Sequence, residues 1–248
     1  MAHRIAHSSI AVAALSKVVA WSDYTLTLYF ATVVARVFFG GGSAALATAL
    51  GGFALAYLMR PIGAVVFGHI ADRHGRRPML LISMALMSLA MLATALLPPF
   101  AQIRPAAAWL LFGLRCVLGF SVGGEYTGVI TYLLEGADPA RRGLVASLAA
   151  AASEVGALLA VGVSAVTVAM LSEADLQAWG WRIPFFVGAA LAATVWLARR
   201  GLEESPDWEH LRAAGELRAN PLAHAVSRQW GGVLRAFAIS ALGSITYY

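Results

Sequence analysis

The stretch GHIADRHGRR, residues Gly68 to Arg77, decides how the chain is read. It packs four formal charges and two histidines into ten residues, between two long apolar runs. The interval Val37 to Met59 before it carries no charge, and Pro78 to Pro98 after it is unbroken apolar sequence. About 20 apolar residues cross the hydrocarbon of a bilayer. An aspartate and three arginines between two such segments therefore mark a short loop at a membrane surface.

The rest of the composition agrees. Of 248 residues, 60% are hydrophobic and 12% charged, and the mean hydropathy is +0.73. Soluble domains carry about 25% charged residues, roughly twice this share. A polytopic membrane protein follows, with room for six or seven crossings. The net charge of +5 does not point to nucleic acid, because the arginines stand at the ends of apolar segments rather than on one basic face. A single cysteine, Cys116, excludes an intramolecular disulfide and reads as a packing residue. Lys17 and Asp23 interrupt the first apolar stretch, so it does not read as a cleaved signal peptide.

Six spans are expected, at about Ile10–Phe39, Ser43–Ile70, Pro78–Pro98, Ala107–Leu134, Gly143–Leu171 and Ile183–Ala198. Trp179, Trp181 and Trp196 supply interfacial anchors for the sixth. The division that follows is a bundle over residues 1–198, a polar cytoplasmic linker over 199–230 and the start of a seventh span over 231–248. Arg4, Arg73, Arg76, Arg77, Arg141, Arg142, Arg199 and Arg200 fall on one side. The opposite loops hold Arg104, Glu173 and Asp175, with Arg36 and Arg182 near helix ends. The positive-inside rule then places the N-terminus in the cytoplasm.

Ionisable residues at membrane depth are the most informative, because each costs about 2.5 kcal/mol or more unless paired or wetted. At the helical rise, Asp23, Arg60 and Glu154 fall near mid-membrane, and Arg115 and Glu125 flank it. These five are expected to converge on a polar cavity, some of them paired. Arg60 and Arg115 read equally well as clamps between helices or as substrate groups. Asp23 and Glu125 favour function, and Glu154 reads as a proton carrier or as an arginine's partner. Arg115, Gly119 and Gly123 share one helix face, and Gly124 with Gly128 makes a second small-residue pair suited to close helix packing. The six histidines lie in termini or loops without metal spacing, and no enzyme constellation stands out.

The opening stretch, with Gly68, Asp72, Arg73, Gly75, Arg76 and Arg77 at every signature position, resembles the loop between helices two and three of the major facilitator superfamily. Four further stretches, RPIG (Arg60–Gly63), LGFSVGGEYTG (Leu118–Gly128), WGWRIPFF (Trp179–Phe186) and LEESPD (Leu202–Asp207), resemble its metabolite:proton symporter branch. That branch includes transporters for proline and betaine, α-ketoglutarate, citrate and shikimate. The resemblance implies an all-α integral membrane fold, two six-helix bundles and alternating access. This chain would supply the first bundle and the start of helix seven. It reads as a truncated copy, whose missing second bundle is expected for function.

By the same resemblance, Gly68, Asp72, Arg73, Gly75, Arg76 and Arg77 form a cytoplasmic gate. Arg115 matches a helix-four arginine tied to proton coupling. Asp23, Arg60 and Glu125 match charged positions typical of the branch, whereas Glu154 matches no motif and rests on its depth alone. The fifth helix holds Gly156 and Gly162 without the antiporter proline, which favours symport. The expected function is proton-coupled symport of a small carboxylate or betaine-like zwitterion across the bacterial inner membrane. The proton is the coupling ion, and no cofactor or metal is expected. Protonation of Asp23 or Glu125 would free Arg115 or Arg60 for a substrate carboxylate. Two buried arginines favour a di- or tricarboxylate, while three acids keep a zwitterion open. The alternatives are a sensor or scaffold of the same fold that does not transport, and a uniporter without proton coupling.

Overall fold

A computed structural model of the chain describes residues 7–42, 44–135, 137–215 and 227–247. Arg4, His3, His224, Ser43 and linker residues 216–226 lie outside that set, as does Tyr248. The described residues are helical almost throughout. In chain order they form α1 (His7–Tyr29), α2 (Ala31–Phe39), α3 (Ala45–Tyr57), α4 (Met59–His74) and α5 (Arg76–Leu96). The short α6 (Phe100–Ile103) leads into α7 (Ala106–Glu135), then α8 (Arg142–Met170), the short α9 (Glu173–Asp175) and α10 (Arg182–Arg199). Two more follow, α11 (Pro206–Ala213) and α12 (Trp230–Tyr247). Among the described residues, five spans are long and apolar enough to cross a membrane: α3 with α4, then α5, α7, α8 and α10. The pair α1 and α2 makes a sixth if taken together.

The first span departs from the expected single helix, for it bends by 70° between α1 and α2. Neither proline nor glycine stands at Tyr29 or Phe30. The Thr27 hydroxyl donates to the carbonyl of Asp23 one turn earlier at 2.9 Å, a back-bond that bends helices. Phe30 is buried and pins the corner. In the second span, Pro61 sits in the first turn of α4, where its missing N–H is tolerated, and the ladder is interrupted at Leu58 just before it.

Helix pairing follows the small residues. α1 packs on α8, α4 on α7, and α5 on α10. Exchanging spans one to three with four to six maps the first two pairings onto each other and the third onto itself, as an inverted three-helix repeat would. A side chain at Gly63 would collide with the carbonyl of Phe120, and one at Gly123 with that of Arg60. Gly156 likewise lies against the carbonyl of Val18, so α1 and α8 touch backbone to backbone. The close-packing reading of the α7 glycines therefore holds.

One anchor is reassigned. Trp181 is fully buried, edge-on to Phe38 at 4.9 Å and to Phe185 at 6.2 Å, so it fills the core rather than the interface. Within the polar stretch after α10, Ser205 caps α11 by accepting from the Trp208 N–H, with Pro206 at the first helical position.

Candidate functional site

Of the five buried-charge candidates, the structure brings three together. Asp23 and Thr27 on α1, Tyr57 on α3, Arg60 on α4, and Arg115 with Gly119 on α7 line one open cleft. Arg115 Nη1 donates to both oxygens of Asp23 at 3.1 and 3.2 Å and to the Thr27 hydroxyl at 2.6 Å. Both members of the pair are buried. Nε and Nη2 of Arg115 have no hydrogen-bond partner among the described residues, although both are buried. The pair is thus half satisfied, with donors to spare.

Arg60 is held differently. Its guanidinium lies 3.8 Å above the Tyr57 ring and 5.3 Å from that of Tyr24, and its buried Nε has no hydrogen-bond partner among the described residues. No carboxylate among them comes within ion-pair distance of it. Cation–π contact is worth about 0.5–2 kcal/mol and leaves the charge uncancelled. The cleft therefore carries one carboxylate and two guanidinium groups.

Glu125 and Glu154 are not in the cleft. Glu154 is exposed on α8. Glu125 is fully buried elsewhere, and its partner is neither Arg115 nor Arg60 but Arg199 at the end of α10. Arg199 Nη1 donates to Glu125 Oε2 at 2.9 Å and Nη2 to Oε1, a bidentate pair. The same side chain donates to the Leu80 carbonyl at 2.5 Å and the Ser16 hydroxyl at 3.0 Å, and Ser83 donates to Glu125 at 2.9 Å. Lys17, also buried, donates to the Tyr126 carbonyl at 3.2 Å and lies 3.9 Å above the Tyr126 ring.

Two expectations are corrected here. The five charges do not converge on one cavity, and Arg199 is a core residue rather than a loop arginine. Sequence reading missed Lys17 and Arg199 as site residues. Lys17 did break the first apolar run, whereas Arg199 hid behind its neighbour Arg200 at a helix end.

The signature loop forms a third polar cluster, at one end of the bundle. Arg76 pairs with Asp72 at 2.6 Å, one turn away, and with Glu135 at the end of α7 at 3.0 Å. Gly75 offers no side chain to cap α5, and Glu204 does so instead. Its carboxylate accepts the Arg76 N–H at 2.7 Å and the Arg77 N–H at 3.2 Å. A negative charge there suits the helix dipole. A side chain at Gly75, where φ is +107°, would strike Glu204. Arg77 donates to the Arg200 carbonyl at 2.7 Å, Ser205 to Glu135 at 2.5 Å, Tyr132 to the Glu203 carbonyl at 2.9 Å, and Trp208 to the Asp72 carbonyl at 3.2 Å. Arg73 is exposed and Gly68 partly buried on α4. Residues 200–205 thus strap the signature loop to its own bundle.

The sequence profile described as "Sugar (and other) transporter" matches residues 9–235. The chain belongs to this family of major facilitator transporters. It is 36% identical to the alpha-ketoglutarate permease of Escherichia coli over 97% of its own length and 55% of that protein's. To the proline/betaine transporter of Salmonella typhimurium it is 30% identical, over 97% of itself and 50% of the relative. Among solved structures, the major facilitator proton:xylose symporter XylE bound to 6-bromo-6-deoxy-D-glucose superposes with a TM-score of 0.74. That match has 23% identity over 85% of this chain and 47% of XylE, and it establishes the fold. The chain spans about half the length of the curated relatives it matches. Its relatives are transporters, not enzymes.

Proposed function

We propose that the chain forms one bundle of a proton-coupled symporter for a small organic anion, working by alternating access against a second bundle. One observation carries this reading. The cleft holds the Asp23–Arg115 pair beside an arginine, Arg60, that has no carboxylate of its own among the described residues. Ionisable side chains paired within the membrane mark substrate and ion pathways and proton relays. Protonating Asp23 removes the partner of Arg115, and the cleft then presents two guanidinium forks with unused N–H groups. A substrate carboxylate satisfies such forks bidentately. Asp23 and Arg115 are assigned to proton coupling, and Arg60 with Arg115 to the substrate. Glu125 is assigned to the bundle core, and Glu154 gains no role from the cleft.

The anion is favoured over a zwitterionic osmolyte by the tyrosines. Tyr24 and Tyr57 offer the faces that would receive a quaternary ammonium, but Arg60 already lies on them. The arginines of the loops (Arg73, Arg76, Arg77, Arg141, Arg142 and Arg200) support placing the Gly68–Arg77 end, and with it the N-terminus, at the cytoplasmic face of a bacterial inner membrane.

Calorimetric titration of the reconstituted protein with a C4–C5 dicarboxylate and with glycine betaine tests the reading. The dicarboxylate binds, and Arg60→Gln weakens it about tenfold or more, as loss of one partner of a buried charge pair does. Binding of betaine alone, indifferent to Arg60→Gln, contradicts it.

A further inference from the structure

The Glu125 cluster lies outside the cleft, and the mechanism above leaves it unused. One carboxylate there faces two buried cations. Lys17 comes from α1 and Arg199 from α10. α5 contributes only the Ser83 hydroxyl and the Leu80 carbonyl. From α4, Arg60 adds a further positive field at Lys17. α8 packs on α1, but its Glu154 is exposed. Among the described residues, Glu125 is the carboxylate that pairs with Arg199, and its field also reaches the buried Lys17.

Arg199 is also the last residue of α10, and the strap begins at the next residue. Arg200, Glu203, Glu204 and Ser205 then bind Arg77, Tyr132, the N-terminus of α5 and Glu135 in turn, while Leu202 is buried between them. The chain therefore runs directly from the core charge cluster into the residues that bind the signature loop. If Glu125 loses its charge, the Arg199 guanidinium keeps only a carbonyl and a hydroxyl, with Lys17 repelling it. A buried cation stripped of its counter-charge is strongly unfavourable. The short way to water runs out along α10, and movement that way drags the strap off the loop.

We propose that Arg199 is a positioning residue for transport. Held by Glu125, it moors strap 200–205 on the Gly68–Arg77 loop, so that neutralising Glu125 releases the loop without touching the substrate cleft. The proposal draws its purpose from the transport reading, but its test reads the strap alone and needs no substrate.

Cys116 is the chain's one cysteine. With Cys116→Ser as background, Leu202→Cys and Ser205→Cys report separately on the strap, both positions being buried. Ala95→Cys, buried in the core cluster around Phe38 and Trp181, reports on the bundle at large. Maleimide labelling of protein in proteoliposomes follows the population of locally open states. Glu125→Gln raises strap labelling about tenfold or more and leaves Ala95→Cys unchanged within about twofold, because the loss of mooring is local. Asp23→Asn leaves strap labelling unchanged, and Arg199→Lys, which keeps the charge but not the fork, opens the strap part-way. The proposal is overturned if Glu125→Gln leaves both strap reporters slow, or if it raises Ala95→Cys equally and so loosens the whole bundle. Release of the strap by Asp23→Asn rather than by Glu125→Gln overturns it as well. Failure of substrate binding would sink the transport reading and leave these labelling results standing.

Discussion

Replacing Arg199 by methionine tests how much of the bundle hangs on one side chain. The guanidinium ties α10 to α1, α5 and α7 through Ser16, Leu80 and Glu125. Its removal leaves Glu125 with the Ser83 hydroxyl and the field of Lys17, and strips the Leu80 carbonyl of a charged donor. Removing one partner of a buried ion pair costs about 3–5 kcal/mol, and Lys17 remains to offset part of that. We expect the lower end, about 3 kcal/mol, or about 6–12 °C at the 2–4 °C per kcal/mol of a chain this size. Thermal unfolding in detergent, followed by tryptophan fluorescence, reads it. The double variant Arg199→Met with Glu125→Met replaces the pair by apolar side chains of similar volume, a change that is often neutral or stabilising. It leaves Lys17 without a counter-charge, so recovery is completed only when Lys17→Met is added. The cycle should show a coupling energy of about 2 kcal/mol or more between positions 125 and 199. A single variant within about 1 kcal/mol of the parent, or strictly additive variants, would refute the argument that a mutual charge cluster holds the four helices.

Three further outcomes follow from the packing and the caps. Gly63→Leu and Gly123→Leu drive side chains into the facing backbones of α7 and α4, and neither variant should give a monodisperse peak on size-exclusion chromatography. Gly113→Ala and Gly162→Ala, with open space around both positions, should hold or raise the melting temperature, since alanine improves a helix by about 0.5–1 kcal/mol. Glu204→Ala uncaps α5 and should cost about 1–2 kcal/mol in thermal unfolding, whereas Glu203→Ala, whose contact is through its backbone carbonyl, should cost nearly nothing.

The spans could be read from the sequence because a bilayer imposes length and apolarity on every crossing helix. α5, α7, α8 and α10 lie within a few residues of their expected bounds. The 70° corner after Tyr29 could not be read. No proline or glycine flags it, and the Thr27 back-bond beside it looks in sequence like those of Thr94 and Thr167 in unbroken helices. Depth counting put Asp23, Arg60 and Arg115 at similar heights, because each residue adds a 1.5 Å rise, and the structure places the three around one cleft. It could not fix the direction around the helix axis, and so Glu125 and Glu154 were gathered into a cavity that they do not line. Arg199 shows the complementary error. An arginine at a helix end looks like an orienting charge, and only tertiary packing reveals that it turns inward to meet Glu125. The loop Gly68–Arg77 was legible as a motif. Its partners Glu135, Glu204 and Trp208 lie 59 to 136 residues away along the chain, beyond the reach of any local pattern.

The central claim is that Asp23 carries the coupled proton in the cleft it shares with Arg60 and Arg115. Substrate-driven proton entry into proteoliposomes, read by an entrapped pH dye on adding a C4–C5 dicarboxylate outside, tests it most directly. With the second bundle supplied, the account predicts acidification of the lumen with the parent protein and none with Asp23→Asn, although Asp23→Asn still binds the dicarboxylate. Equal acidification with Asp23→Asn, or dicarboxylate uptake with no proton movement, would contradict it.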